Sequence, residues 1–114
     1  AVSRERGQRF ETFAADYLRQ QGLQLLASNV SCRFGELDLI CKDRDCLVFV
    51  EVKYRKTSAY GSAAAMVTTA KQQKLRLSAS WYLQQKQWRG AARFDVLAIE
   101  GDAPYQFSWL KNAF

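Results

Sequence analysis

The sequence predicts an α/β protein: a mixed β-sheet flanked by helices, with elements in the order αβββαββ. Three observations carry this. Apolar residues recur at helical spacing in two windows. Short runs rich in Val, Ile, Phe and Tyr, bounded by polar turns, occur in four others and a fifth shorter one. Helices and strands interleave along the chain, and that ordering belongs to layered α/β architectures.

The elements follow in order. Ser3 is placed to cap a helix from about Arg4 to Gln21, and Gly22 to end it. Phe10, Phe13, Ala14, Tyr17 and Leu18 give this helix its core face. A first strand is expected over Leu23–Cys32, with a break near Ala27-Ser28-Asn29. "GELDLIC", Gly35–Cys41, alternates as a half-buried strand does, and "CLVFVEVKYR", Cys46–Arg55, is the next. Lys42–Asp45 reads as the four-residue turn of a hairpin between them. Lys56–Met66 reads as a loop. Thr68 or Thr69 then caps a second helix reaching about Gln87, buried along Leu75, Ala79, Trp81, Tyr82 and Leu83. Strands are expected at Ala92–Glu100 and, after a turn at Gly101–Pro104, at Tyr105–Leu110.

The 114 residues predict one domain, 1–114, able to bury a core without staples. An apolar content of 48% excludes a disordered chain, and no apolar run approaches the ~20 residues of a membrane span. The polar opening "AVSRERGQRF" does not read as a signal peptide. Three cysteines without Cys-x-x-Cys spacing, and no histidine, argue against a zinc site and for a reducing, cytoplasmic setting. The net charge of +6 and a pI near 9.5 direct the chain toward polyanions, nucleic acid above all, with no membrane expected as partner.

"FVEVKYR" is the most strand-like run, yet it contains Glu51 and Lys53. Two residues apart on a strand, they project from one face, together with Leu47 and Phe49. A turn pairing Cys41 with Cys46 sets Asp38 opposite Phe49, diagonal to Glu51 at roughly 7–8 Å. Glu11, within the stripe Gly7, Glu11, Ala14, Ala15, Leu18, is expected at the edge of the first helix's buried face. If Glu11, Asp38, Glu51 and Lys53 converge, the set is doubly negative and buried, and a divalent cation would balance it. Hard carboxylate oxygens favour Mg²⁺ or Mn²⁺. Such an ion can polarise a phosphodiester and activate water, with Lys53 positioning the water or stabilising the transition state. An isolated Glu-x-Lys reads first as a solvent-facing ion pair worth at most about 1 kcal/mol; Leu47 and Phe49 on its face argue against full exposure.

"RFGELDLI" (Arg33–Ile40) followed by "VFVEVKYR" (Val48–Arg55) resembles the paired motifs of the PD-(D/E)xK nuclease superfamily. More narrowly, the chain resembles the YraN-like family of small bacterial proteins, similar in pattern to archaeal Holliday-junction resolvases. The match takes in "GQRFETFAADYLRQQG", "KQQKLRLSASWYL" and "RFDVLAI", nearly the whole chain. The resemblance implies a three-layer restriction-endonuclease-like fold with its site at the splayed end of the hairpin. It implies Asp38 and Glu51 as metal ligands, Lys53 as the catalytic lysine, Glu11 as the acid of the first helix, and Lys71 as a basic residue near the phosphate. The superfamily's namesake proline is absent; Glu36-Leu37 precede Asp38 instead.

The expected activity is Mg²⁺- or Mn²⁺-dependent endonucleolytic cleavage of DNA, with branched or recombining DNA as the favoured substrate. A non-catalytic nucleic-acid-binding module with the same fold is the alternative. Lys71 and Lys74 on the second helix, Arg55 and Lys56 after the motif, and Tyr60 as a stacking aromatic are the candidate DNA contacts. Arg93 and Asp95 share a strand face and are expected to pair. Trp81, Tyr82, Trp88 and Trp109 read as core or interface, an exposed subset serving a homodimer, which symmetric two-strand cleavage would require.

Overall fold

The computed structural model describes residues 4–57 and 61–114, with side chains from residue 9 onward. The proposed cap Ser3 and the stacking residue Tyr60 lie outside the described residues. Helix α1 spans Arg4–Gln20. It ends because Gly22 adopts a left-handed backbone, φ 96°, and the Leu23 and Gly22 N–H groups turn back to the Leu18 and Arg19 carbonyls at 3.0 Å each. That pair of bonds is a Schellman motif, and it satisfies carbonyls the helix end would otherwise strand.

Strands β1 (Gln24–Cys32), β2 (Gly35–Asp43) and β3 (Cys46–Arg55) follow as antiparallel neighbours. A short 3₁₀ turn, Ala64–Met66, leads into α2 (Thr69–Gln85), whose cap is Thr68: its hydroxyl accepts from the Lys71 N–H at 3.1 Å. Helix α2 carries the chain across the sheet, so β4 (Ala92–Glu100) lies parallel to β3; β5 (Gln106–Leu110) then pairs antiparallel with β4. The sheet order is β1-β2-β3-β4-β5. The element order and mixed sheet agree with the expectation from sequence, and the arrangement is compatible with a three-layer restriction-endonuclease-like fold.

Strand alternation divides the core into two layers. Val48 and Val50 of β3, Leu39 and Cys41 of β2 and Leu97 and Ile99 of β4 pack under Phe10, Ala14 and Leu18 of α1. Leu47, Phe49, Ile40, Val96 and Ala98 point the other way, under Leu75, Ala79 and Tyr82 of α2. Each of these larger side chains, fully buried, contributes about 2 kcal/mol. Trp81, Trp88 and Trp109 are half-buried against these layers, so the aromatic residues serve packing.

The hairpin turn differs from the expectation. Asp43 pairs with Cys46, leaving only Arg44 and Asp45 in the turn, with Arg44 at φ 57°. A tight two-residue turn demands such a positive φ, and it matches the twist of the strands. The register is therefore two residues from the expected one: Ile40, not Asp38, faces Phe49. The expected break in β1 is an irregularity within a continuous strand: the register shifts between Leu25 and Ala27, and Asn29 adopts φ 53°.

One buried charge organises the far side. Asp95 of β4 has no exposed surface. Its Oδ1 accepts from Arg93 Nε at 3.0 Å and from the Asn112 N–H at 2.9 Å; its Oδ2 accepts from Trp109 Nε1 at 2.9 Å. Arg93 Nη2 also reaches Asp43 at 3.0 Å. The expected Arg93–Asp95 pair is present, as the centre of a network joining β2, β4, β5 and the residues after β5.

Candidate functional site

β2 and β3 pair from the turn as far as Leu39 and Val50. Beyond that level Asp38 inserts its side chain: Oδ2 accepts from the Val52 N–H at 3.0 Å, so a carboxylate stands where a ladder carbonyl would. The opening admits side chains from both layers. Glu11 enters from α1. Glu51 points to the α2 side, where Lys53 Nζ and Lys71 Nζ approach its Oε1 at 3.7 and 3.9 Å. Although the register differs by two residues from the expected one, Asp38 and Glu51 line the same cleft and interact directly. A cleft of about 390 Å³ lies over them, lined by Phe10, Glu11, Asp38, Glu51, Val52, Lys53 and Tyr54.

The electrostatics of this cleft are unbalanced. Glu51 is only 5% exposed, and its Oε2 is enclosed with no hydrogen-bond partner, as is Glu11 Oε2. Burial, then the charge of Asp38, push the Glu51 carboxyl up to about 7 against the opposing pull of Lys71 and Lys53. Burial and Asp38 likewise raise Glu11 to about 7, while a hydrogen bond from Asn29 resists. Asp38 is raised by burial, the Val52 N–H opposing. Enclosed oxygens without donors, all from carboxylates, make a set that fits a hard divalent cation such as Mg²⁺ or Mn²⁺.

A pH dependence follows. A carboxyl that holds its proton more tightly folded than unfolded favours the folded state fully below its ordinary pKa, and that advantage is lost as pH rises through the folded value. With Glu51 and Glu11 moved from 4.5 to about 7, the metal-free protein should melt several degrees higher at pH 5 than at pH 8. Added Mn²⁺ should close the gap from the pH 8 side. Thermal melts in chelator and in Mn²⁺ check this; a pH-independent melting temperature in chelator would refute it.

The remaining candidates are placed as follows. Lys71 belongs to the site through Glu51. Lys74, one turn further along α2, is exposed. Arg55 is turned away: its guanidinium pairs with Glu100 at 3.2 Å and donates to the Gly61 carbonyl, leaving the side chain 15% exposed. Lys56 is exposed beside Glu100 and Asp102, in a separate hollow. The sequence reading passed over Glu36: one carboxylate oxygen each from Glu11, Glu36 and Asp38 lie within 4.8 Å of one another. Its signal was present, since Glu36 precedes Asp38 by two residues, the spacing that singled out Glu51 and Lys53. No helix among the described residues is long and apolar enough to cross a membrane.

Comparison with known proteins places this sequence in a lineage. Residues 10–99 match the family model described as "Uncharacterised protein family UPF0102". A UPF0102 protein of Vibrio cholerae serotype O1 is 49% identical over 114 residues, covering 97% of this chain and 93% of that protein. One from Pseudomonas putida is 48% identical over 112 residues (95% and 91%), and one from Aeromonas hydrophila 46% over 112 (96% and 84%). The matched region contains Glu11, Asp38, Glu51, Lys53 and Lys71. The chain belongs to the UPF0102 family, the YraN-like family of small bacterial proteins.

Proposed function

We propose that this protein is a metal-dependent endonuclease that hydrolyses DNA phosphodiesters, with branched or recombining DNA as its preferred substrate and Mg²⁺ or Mn²⁺ as its cofactor. The observation that supports this most is the enclosed, partnerless Oε2 of Glu51 beside Asp38, at the mouth of which Lys53 stands 31% exposed. Asp38 and Glu51, with Glu11, would hold the ion. When bound, it supplies Lewis-acid polarisation of the phosphoryl oxygens and makes water a better nucleophile.

The chain's own residues do the rest. Hydrolysis joins a water oxygen to phosphorus in line with one ester P–O bond, which breaks; the water gives up one proton and the departing alkoxide takes one up. Lys53 points its ammonium into the cleft from β3, where it can donate to a non-bridging oxygen as negative charge builds there. Lys71, 39% exposed at the start of α2, adds a second cation on the same side and orients Glu51. Pairing both ammoniums to Oε1 leaves Oε2 free to coordinate. The net charge of +6 favours approach to the DNA backbone.

The test is Mn²⁺-dependent cleavage of single-stranded, duplex, flapped and four-way-junction DNA. Cutting that chelator stops, and that Lys53→Ala lowers at least about 100-fold, is the expected result. A non-catalytic nucleic-acid-binding module is the second reading, favoured by the same net charge. It predicts salt-dependent binding with no metal requirement and no response to Lys53→Ala. Retention of binding without cutting in any member of the panel would replace the first reading by the second.

A further inference from the structure

Ser78 lies midway along α2 on the helix's buried face, 1% exposed. A serine in that position often returns its hydroxyl to the carbonyl one turn earlier. Ser78 Oγ does not: it is enclosed and has no hydrogen-bond partner among the described residues. It is aimed instead at the turn between β1 and β2. A Cβ on Gly35 would stand 3.8 Å from it, and it faces the sulfur of Cys32. Cys32 and Gly35 are the pair that closes this turn around Arg33 and Phe34. We propose that Cys32 is an oxidation site: a thiol that hydroperoxides convert to a sulfenate, held by the Ser78 hydroxyl and the backbone of the turn.

The donors come first. The Phe34 and Gly35 N–H groups are directed at the sulfur, and Ser78 adds a hydroxyl. Successive amides of a turn form a small cradle for an anion. Arg33 brings positive charge to it, and its guanidinium lies over the Phe34 ring at 4.6 Å. Burial opposes ionisation here, yet the Ser78 hydroxyl, the Phe34 and Gly35 N–H groups and the Arg33 charge together hold the thiol below its ordinary pKa. A thiolate, not a thiol, is the species that attacks peroxide.

Access and isolation complete the case. Cys32 is half-buried. Cys41 is sealed in the α1 layer, where burial and the charge of Asp95 push its thiol up to about 11. Cys46 packs against that same layer, and its Sγ donates to the Leu47 carbonyl at 3.6 Å. Cys32 meets α2, on the other side of the sheet, so neither is placed to condense with a sulfenate there.

The step needs nothing beyond the oxidant. The thiolate sulfur attacks one peroxide oxygen; an S–O bond forms with an electron pair from sulfur, and the O–O bond breaks. With hydrogen peroxide, the leaving hydroxide takes up the remaining proton and departs as water. Ser78 then donates to the new oxygen, a partner its hydroxyl otherwise lacks. A small dithiol reverses the step, reducing the sulfur and releasing the oxygen as water. The site is separate from the acidic cleft, and the inference does not depend on the function proposed for that cleft.

The experiment treats the intact protein with hydrogen peroxide near neutral pH in the presence of dimedone, which alkylates sulfenic acids. Mass spectrometry then reads each cysteine-bearing peptide. Label should build at Cys32 at least about tenfold faster than at Cys41 or Cys46. Ser78→Ala should slow labelling of Cys32 about tenfold. It should leave the melting temperature no lower than native, because no bond is lost with the hydroxyl. Labelling of Cys46 as fast as Cys32, or an unchanged Cys32 rate in Ser78→Ala, would overturn the proposal. So would a fall in melting temperature in Ser78→Ala, which would show the hydroxyl to be bonded within the fold already.

Discussion

Replacing Glu51 by Gln should lower Mn²⁺-dependent DNA cleavage on the order of 10³-fold and, in the same molecule, raise the thermal stability of the metal-free protein. The two effects have one cause. Glu51 is a carboxylate kept 5% exposed with an oxygen that nothing bonds, so its ionised form is costly until a cation arrives. Glutamine has the same shape and no charge, so the cost disappears and so does the ligand. A carboxyl raised from 4.5 to about 7 implies a stabilisation on the order of 3 kcal/mol above pH 7 when the charge is removed. The gain is expected at pH 8 and should vanish at pH 5, where the native carboxyl is already protonated. Asp38→Asn should abolish cleavage equally. Its remaining oxygen can still accept from the Val52 N–H, so the sheet should hold. Asp38→Ala would strand that N–H at a cost of about 1–3 kcal/mol. Melting curves at the two pH values, run beside the cleavage assay, separate these outcomes. Cleavage by Glu51→Gln within about threefold of native would refute the role given to Glu51.

Asp95→Ala should be the most destabilising single substitution considered, by about 3–5 kcal/mol. Asp95 is buried and accepts four hydrogen bonds, two of them from Arg93. Its removal leaves a guanidinium short of its counterion and strands the Trp109 indole and the Asn112 N–H. For a chain of this length the loss corresponds to a melting temperature lower by roughly 15 °C, a large part of ordinary domain stability. Asp95→Asn keeps an acceptor for one or two of these donors and should fall between. Urea denaturation measures both. A loss under about 1 kcal/mol for Asp95→Ala would show the network to be dispensable. Asp95 lies outside the cleft, so residual folded protein should cut DNA at the native rate per folded molecule.

Much of this was legible in the sequence, and the reasons are particular. The pairing of Glu51 with Asp38 survived a two-residue error in register because the observed register, carried one step beyond Leu39 and Val50, sets Asp38 directly across from Glu51 instead of diagonal to it. The error arose at Arg44. Tight hairpins usually advertise themselves with Asn-Gly or Asp-Gly, and here an arginine takes the positive φ. Arg55 looked like free charge because its partner, Glu100, is distant in sequence. The parallel register that sets Arg55 beside Glu100 is created by the α2 crossover, which no local pattern encodes. Glu36 was passed over because the motif resemblance assigned a ligand role on that strand to Asp38 alone. Alternation also fails there: Leu37 packs with the α2 layer, as Ile40 does, although the two lie three residues apart. The strands part at that level, and a strict two-residue rule ends where the ladder does.

The join between β3 and β4 has a consequence for the order of assembly. The β2–β3 hairpin closes over two residues, an event of microseconds. Asp38 and Glu51 both belong to it, so their juxtaposition needs no distant segment. Leu47, by contrast, meets Ala92 only after the whole α2 segment has been looped out, and such non-local pairing is what slows folding. Helix α2, which delivers Lys71 to Glu51, should therefore dock after the hairpin has closed. The acidic pair would be formed while still hydrated and lose its water only at the end. The electrostatic penalty of the cleft then falls on the last barrier, and hardly at all on the nucleus.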